Sequence, residues 1–204
     1  RELILRCEGI VKRFPGNLAL DHVDLEVRRG EVHALVGQNG AGKSTLVKII
    51  TGVYTLDEGQ IYLEGEPVRL HTPQDAEQAG ISIIHQDQQL VPQFDVKRNV
   101  FLGRELRRGA FLDFRTMAAE TQRVLDMIHV DFGPNALIRD LSVGQREQVA
   151  IASALLRQPK ILILDEPTAS LSRKEVEELF AIIRRLKDQG VTIIYISHHF
   201  DEIF

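Results

Sequence analysis

"VHALVGQNGAGKSTLVKII", residues 32–50, holds the reading on which the rest of the chain turns. A short apolar run, 32–36, ends in a glycine-rich loop, and the loop opens into an apolar-periodic helix that stops near Gly52. The loop fits G-x-x-x-x-G-K-[ST], with Gly37, Gly42, Lys43 and Ser44 in the required places. Glycines let backbone N–H groups curl around phosphate oxygens with no Cβ in the way, and the helix behind adds its positive N-terminal end. Lys43 supplies a mobile charge for β- and γ-phosphates, and Ser44 offers a hydroxyl ligand to Mg²⁺. Asn39, Gly40, Ala41 and Thr45 complete the loop. A strand–helix turn without a ligand is the plainer alternative. The motif is complete and stands in its strand–loop–helix context, so nucleotide phosphate binding is the expectation.

Other apolar runs end in the same manner. "ISIIH" runs into Gln86, "ILIL" into Asp165 and "TIIYIS" into His198. Continuous apolar runs suit parallel strands buried on both faces, and such sheets bind ligands beyond their carboxyl ends. Gly37, Gln86, Asp165 and His198 can therefore converge on one site. Asp165 is placed to hold Mg²⁺ through water, and Glu166 is the nearest candidate to polarise a water that attacks the γ-phosphate. Taken singly, Gln86 and His198 say little, since a strand-end glutamine caps backbone and a lone histidine is commonly structural. His198 and His199 point to opposite faces of an extended segment and make a poor metal pair.

Working outward, "ELILRCEGI" and "HVDLEVRRGE" alternate, with Val23, Leu25 and Val27 on one face, as in half-buried antiparallel strands. "GQIYLEGEPVRL" reads as another strand pair. From about 94 to 158 the strand signal fades into helical stretches, "FDVKRNVFLGREL", "DFRTMAAETQRVLDMI" and "GQREQVAIASALL", with Asp113 a candidate N-cap. "RKEVEELFAIIRRLKDQG" is a charged helix before the last apolar run. The expected fold is α/β, a P-loop NTPase parallel-sheet core with an N-terminal antiparallel β subdomain and an inserted α-helical subdomain. Residues 1–93 and 159–204 would form the nucleotide-binding lobe and 94–158 the helical subdomain.

The composition sets limits on function. A net charge of −4 argues against a nucleic-acid partner, which demands a basic face. The basic stretch "RELRRG", 104–109, reads as a solvated loop or helix end. The single cysteine, Cys7, cannot close an intrachain disulfide and fits a reducing compartment. Alternating with Leu3 and Leu5, it reads as a buried apolar residue rather than a nucleophile. No apolar run approaches the ~20 residues that cross a bilayer, so any membrane role is expected to come through a partner. The chain begins without Met and stops at "DEIF", which suggests a piece of something longer.

"LSVGQ", 141–145, is a second glycine-containing helix start. Ser142 and Gln145 fit S-x-x-Q, a capping box, and taken alone that is the better reading. Its company changes the odds. The phosphate loop, Gln86, "LSVGQ", "ILILDEP" and His198 together resemble the ATP-binding subunits of ABC transporters, in that family's order and over nearly the whole chain. The wording "KRFPGNLALDHVDL", "GISIIHQDQQLVP" and "ISHHFDEIF" is similar to the N-terminal ATPase half of bacterial monosaccharide importers, which typically fuse two such halves.

The resemblance implies an ATPase with ATP and Mg²⁺ as cofactors, peripheral on the cytoplasmic face of the membrane. It implies a second nucleotide-binding domain as partner, as a homodimer or fused half, with permease subunits and, indirectly, an external solute-binding protein, and no nucleic acid. Phe14 would stack on adenine, Gln86 would contact Mg²⁺ and the attacking water, and His198 would hold the γ-phosphate. Ser142, Gly144 and Gln145 would cover the nucleotide held by the partner's phosphate loop. Departures from the family pattern are Val143 in place of a glycine and Ser172 where an aspartate is usual. A soluble relative acting on nucleic acid or the ribosome would be expected to carry long coiled-coil insertions or basic linkers, and neither is present. A P-loop kinase or GTPase would need neither "LSVGQ" nor His198.

Overall fold

The computed structural model describes residues 2–38, 40–85 and 90–198. Asn39, Gln86 and His199, singled out above, lie outside the described residues. The chain divides into two compact units, Arg1–Ile83 with Pro159–Glu166 and Lys187–Phe204, and Ile84–Gln158 with Pro167–Leu186.

The first unit opens with the long antiparallel strands β1 (Leu3–Phe14) and β2 (Asn17–Arg28). They are followed by β3 (Val32–Val36), α1 (Lys43–Ile50), β4 (Glu58–Leu63), β5 (Glu66–Val68), α2 (Pro73–Gln78) and β6 (Ile81–Ile84). The short helix α2 is not anticipated above, although "TPQD" spells it. Thr72 accepts from Asp75 N, the Asp75 carboxylate accepts from Thr72 N, and Pro73 fills the first turn.

The second unit contributes α3 (Val96–Val100), the hairpin β7 (Arg107–Arg108) and β8 (Phe111–Leu112), α4 (Phe114–Ile128) and α5 (Val143–Leu155). The chain then runs through β9 (Ile161–Asp165), α6 (Arg173–Asp188) and β10 (Thr192–Ser197). The stretch expected to be one helix from 94 yields only α3. Leu102 beyond it is 47% exposed, and Gly103 takes φ +76, a conformation that ends a helix. "RELRRG" feeds the hairpin instead of a helix end. Asp113 does cap α4, accepting from Thr116 N at 3.0 Å. Met117, Thr121, Val124, Leu125 and Ile128 form the buried stripe of α4, which packs with α3 and α5.

The two larger sheets lie in the first unit, apart from the last residue of β6. One is antiparallel, in the order β2-β1-β4-β5; the other runs β3-β10-β9-β6, with β10 parallel to both β3 and β9. The continuous apolar runs are buried on both faces in β9 and β10, as expected. In β3 the expectation fails. That strand is at the sheet edge, with Val32 37% exposed and the rest half-buried. Leu46, Val47, Ile49 and Ile50 of α1 join Ile161, Ile163, Ile194, Ile196 and the inward residues of β1 and β2 in one core. Each fully buried aliphatic side chain there contributes about 1.5–3 kcal/mol. Among the described residues no helix is long and apolar enough to cross a membrane.

Cys7 is inside this core, fully buried, and burial, with a smaller push from the Asp24 carboxylate, raises its thiol to about 12. The thiolate that reacts is therefore almost absent at neutral pH. A chromogenic disulfide reagent is expected to leave the folded chain unlabelled and to label one thiol per chain in denaturant; rapid labelling of folded protein would contradict this packing.

Candidate functional site

In the first unit, Asn17, Leu18 and Ala19 from the start of β2, Gly40–Thr45, and Glu166 line a cavity of about 350 Å³. The loop geometry is set by Gly42, which caps α1 with φ +87. A Cβ on it would lie 2.7 Å from Leu20 Cδ2 and 2.9 Å from Ala19 O, so glycine is required by conformation and by space alike. Helices α2, α3, α4 and α5 each carry a side-chain N-cap, whereas α1 has none and no acidic residue in its first turn. Its leading residues line the cavity and, among the described residues, its N–H groups have no capping side chain, the arrangement that receives an anion. Lys43 is buried, its ammonium turned back on the loop to donate to the carbonyls of Gly37 and Gln38.

The carboxyl ends of the parallel strands meet at this loop. Ser197 pairs with Val36, so Gly37 follows the last rung of β3, and Ile196 pairs with Asp165 at the end of β9. Glu166 N donates to Ile196 O at 3.0 Å and its residue takes φ +49, a conformation rare outside glycine. That turn aims the carboxylate at the cavity while Oε1 lies 3.1 Å from His198 Nδ1. The strand ends thus bring together Gly37, Lys43, Ser44, Asp165, Glu166 and His198. Phe14 does not line the cavity; its ring meets Tyr54 edge-on at 5.3 Å between centroids.

Ser44 and Asp165 offer hard oxygen donors. Among the described residues no cluster of three His, Cys, Asp or Glu could hold a metal by itself. One hydroxyl and one carboxylate make a donor set that suits Mg²⁺, which takes few protein ligands.

The second unit holds the other helix start. Ser142 N donates to Gln145 Oε1 at 2.9 Å and Gln145 N to Ser142 Oγ at 3.2 Å, so the capping box is present. Gln145 Nε2 reaches Asp131 at 3.1 Å. Val143 is 49% exposed, so a valine at this position costs no packing. Glu175, a residue the sequence reading passed over, ties this start to that of α6. Its Oε1 accepts from Ser142 Oγ and Gly144 N, each at 2.9 Å. Its Oε2 accepts from Ser172 N at 3.0 Å and Ser172 Oγ at 2.8 Å. The signal was S-x-x-E at 172–175, a second capping box in the same sense as the first, with Glu175 N donating to Ser172 Oγ at 3.4 Å.

A family model described as "ABC transporter" matches residues 20–169. The chain is 50% identical over 200 residues to the "Ribose import ATP-binding protein RbsA 2" of Streptomyces coelicolor, covering 98% of this chain and 39% of that protein. It is 46% identical over 202 residues to the "Xylose import ATP-binding protein XylG" of Geobacillus kaustophilus, covering 98% and 40%. The chain therefore spans about two fifths of the length of these curated relatives. Among solved structures, an ATP-binding cassette of an ABC transporter in its ADP conformation superimposes with a TM-score of 0.89 at 29% identity, over 100% of this chain and 84% of that one.

The hydrogen bonds from Ser172, Gly144 and Ser142 hold the Glu175 carboxyl down at about 2, against 4.5 ordinarily. A folded-state pKa below the unfolded one gives stability that is present above about 4.5 and lost as pH falls towards about 2. Glu175→Gln is expected to melt below the parent at pH 7, with the gap closing between pH 4.5 and 2. Thermal melts across that range check it; a gap independent of pH would remove the carboxylate from this role.

Proposed function

The chain belongs to the ABC transporter family, and from that premise we propose that it is the ATP-binding and ATP-hydrolysing domain of an importer for a monosaccharide. The observation that carries the ATPase reading is the cavity lined jointly by the phosphate loop and Glu166. The sugar cargo is supported by the ribose and xylose import proteins it resembles. Residues 1–93 and 159–204 would serve as the nucleotide-binding lobe and 94–158 as the helical subdomain.

When ATP binds, Lys43 leaves the Gly37 and Gln38 carbonyls for the β- and γ-phosphates, and the N–H groups opening α1 receive phosphate oxygens. Ser44 and Asp165 would hold Mg²⁺, which neutralises charge on those phosphates. Glu166 takes the proton of the water attacking the γ-phosphorus, as the bond to the ADP oxygen breaks. His198, whose Nδ1 lies 3.1 Å from Glu166 Oε1, holds the γ-phosphate. Ser142, Gly144 and Gln145 cover the nucleotide of a second nucleotide-binding domain, and Phe14 packs against adenine. Gln86, outside the described residues, links the site to transmembrane permease subunits, with the domain peripheral on the cytoplasmic face and a solute-binding protein reached only through the permease.

Lys43→Ala is expected to abolish measurable MgATP binding by calorimetry, with the fold kept, because the phosphate charge loses its mobile counter-charge. Binding as tight as the parent's would place the nucleotide elsewhere. Glu166→Gln keeps shape but cannot take a proton, so turnover should fall by ~10²–10⁴-fold with ATP still bound. In the full-length protein reconstituted with its permease, the same change should stop ATP-driven monosaccharide uptake. Undiminished turnover would remove Glu166 from the chemistry, and uptake of some other solute class would overturn the cargo.

A further inference from the structure

The start of α5, assigned above to a neighbour's phosphate, already holds an anion. Glu175 Oε1 sits 2.9 Å from both Ser142 Oγ and Gly144 N. A serine hydroxyl has one proton, and here it goes to Glu175 while the oxygen accepts from Gln145 N. The Gly144 N–H is committed to the same carboxylate oxygen. A Cβ on Gly144 would lie 2.7 Å from Glu175 Cγ and 2.8 Å from Oε1, so the carboxylate occupies the space directly over this glycine. Neither donor is open while Oε1 remains.

We propose that Glu175 is a latch on the 142–145 segment, an internal counter-ligand that the γ-phosphate of a neighbouring domain must displace, so that it sets the ATP concentration at which two domains pair. This rests on the composite-site reading under Proposed function. A phosphate oxygen and a carboxylate oxygen cannot share these donors, because like charges at hydrogen-bond distance repel strongly as water is excluded. The exchange has a place to go. Oε2 keeps both Ser172 bonds, so the carboxylate can turn without uncapping α6. Beside it lies a cleft of about 600 Å³ within the second unit, whose lining includes Lys174 and Arg185. Ser172, at the position where the family usually has aspartate, is what makes this two-sided hold possible, since an aspartate there would set a second carboxylate against Glu175. Glu175 is a positioning residue in this scheme, acting through Ser142 and Gly144.

Glu175→Gln keeps the volume and the S-x-x-Q capping pattern and removes the charge, which separates latch from brace. The first readout is the Gly144 amide resonance of the 204-residue chain titrated with inorganic phosphate. The variant should respond at about tenfold lower phosphate than the parent, a typical coupling between competing ligands. Equal midpoints, or a weaker response in the variant, overturn the latch. Glu175→Ala must shift the midpoint in the same direction, which guards against an effect peculiar to the amide. A merely structural role would lower the melting temperature of both variants and leave the phosphate midpoints unmoved. The second readout is ATP-dependent association by sedimentation, comparing Glu166→Gln with Glu166→Gln/Glu175→Gln so that hydrolysis does not drain the ATP. Its half-point should fall by about tenfold. A shifted phosphate midpoint with unshifted ATP-dependent pairing leaves the latch standing and overturns the composite site; an unshifted phosphate midpoint overturns the latch whatever ATP does.

Discussion

β9 and β10 are paired in parallel from Thr192↔Ile161 to Ile196↔Asp165, and both strands are buried on both faces. Everything chemical in the first unit depends on that register. A slip of one residue would move Asp165 and Glu166 about 3.3 Å along β10 and reverse the face each side chain presents. The Glu166 N–H extends the pairing by one more bond, to Ile196 O, and leaves the Glu166 backbone in the left-handed region. β3 lies on the far side of β10, ending one residue before Gly37, so Asp165, Glu166 and the glycine-rich loop are fixed by neighbouring strand ends. Loop residues of this kind keep their places because the sheet beneath them has no freedom to shift.

The molecule handles two helix starts in opposite ways. At α1 a glycine cap leaves the N–H groups with no capping side chain among the described residues. At α5 the donors are served by Ser142, Gln145 and Glu175. An isolated helix would be more stable with the second arrangement, since a good N-cap contributes about 1 kcal/mol. Stability lost at the first start is the usual sign that a ligand supplies what the chain withholds. The pairing of Glu175 with Ser172 also gives Ser172 a structural purpose of its own in the second unit.

The parallel strands were legible because an uninterrupted apolar run is a strong signal and each ended in a residue that sheet ends use. What the runs could not convey was their order in the sheet. β3 carries the same pattern as β9 yet lies at an edge, a fact determined by strand pairing and not by composition. The helix α2 was missed, and the length of α3 overstated, for a different reason. A hydrophobic period needs about three turns to declare itself, and α2 and α3 are shorter than that. Their capping residues, Thr72 with Asp75 and Asp95, were the better clue. The local S-x-x-E pattern could have shown the bond of Glu175 to Ser172, but not its hold on Ser142 and Gly144, which lie 33 and 31 residues away in sequence.

Lys43 donates to two carbonyls of its own loop. An ammonium has three donors, so an anion that draws Lys43 off the loop must offer it two acceptors besides the one that meets the third proton. A chloride is a single point of contact. A polyphosphate has oxygens enough to meet the ammonium and the helix start together. In such a loop the number of contacts an anion can make at once, and not its charge alone, decides how well it competes with the two carbonyls.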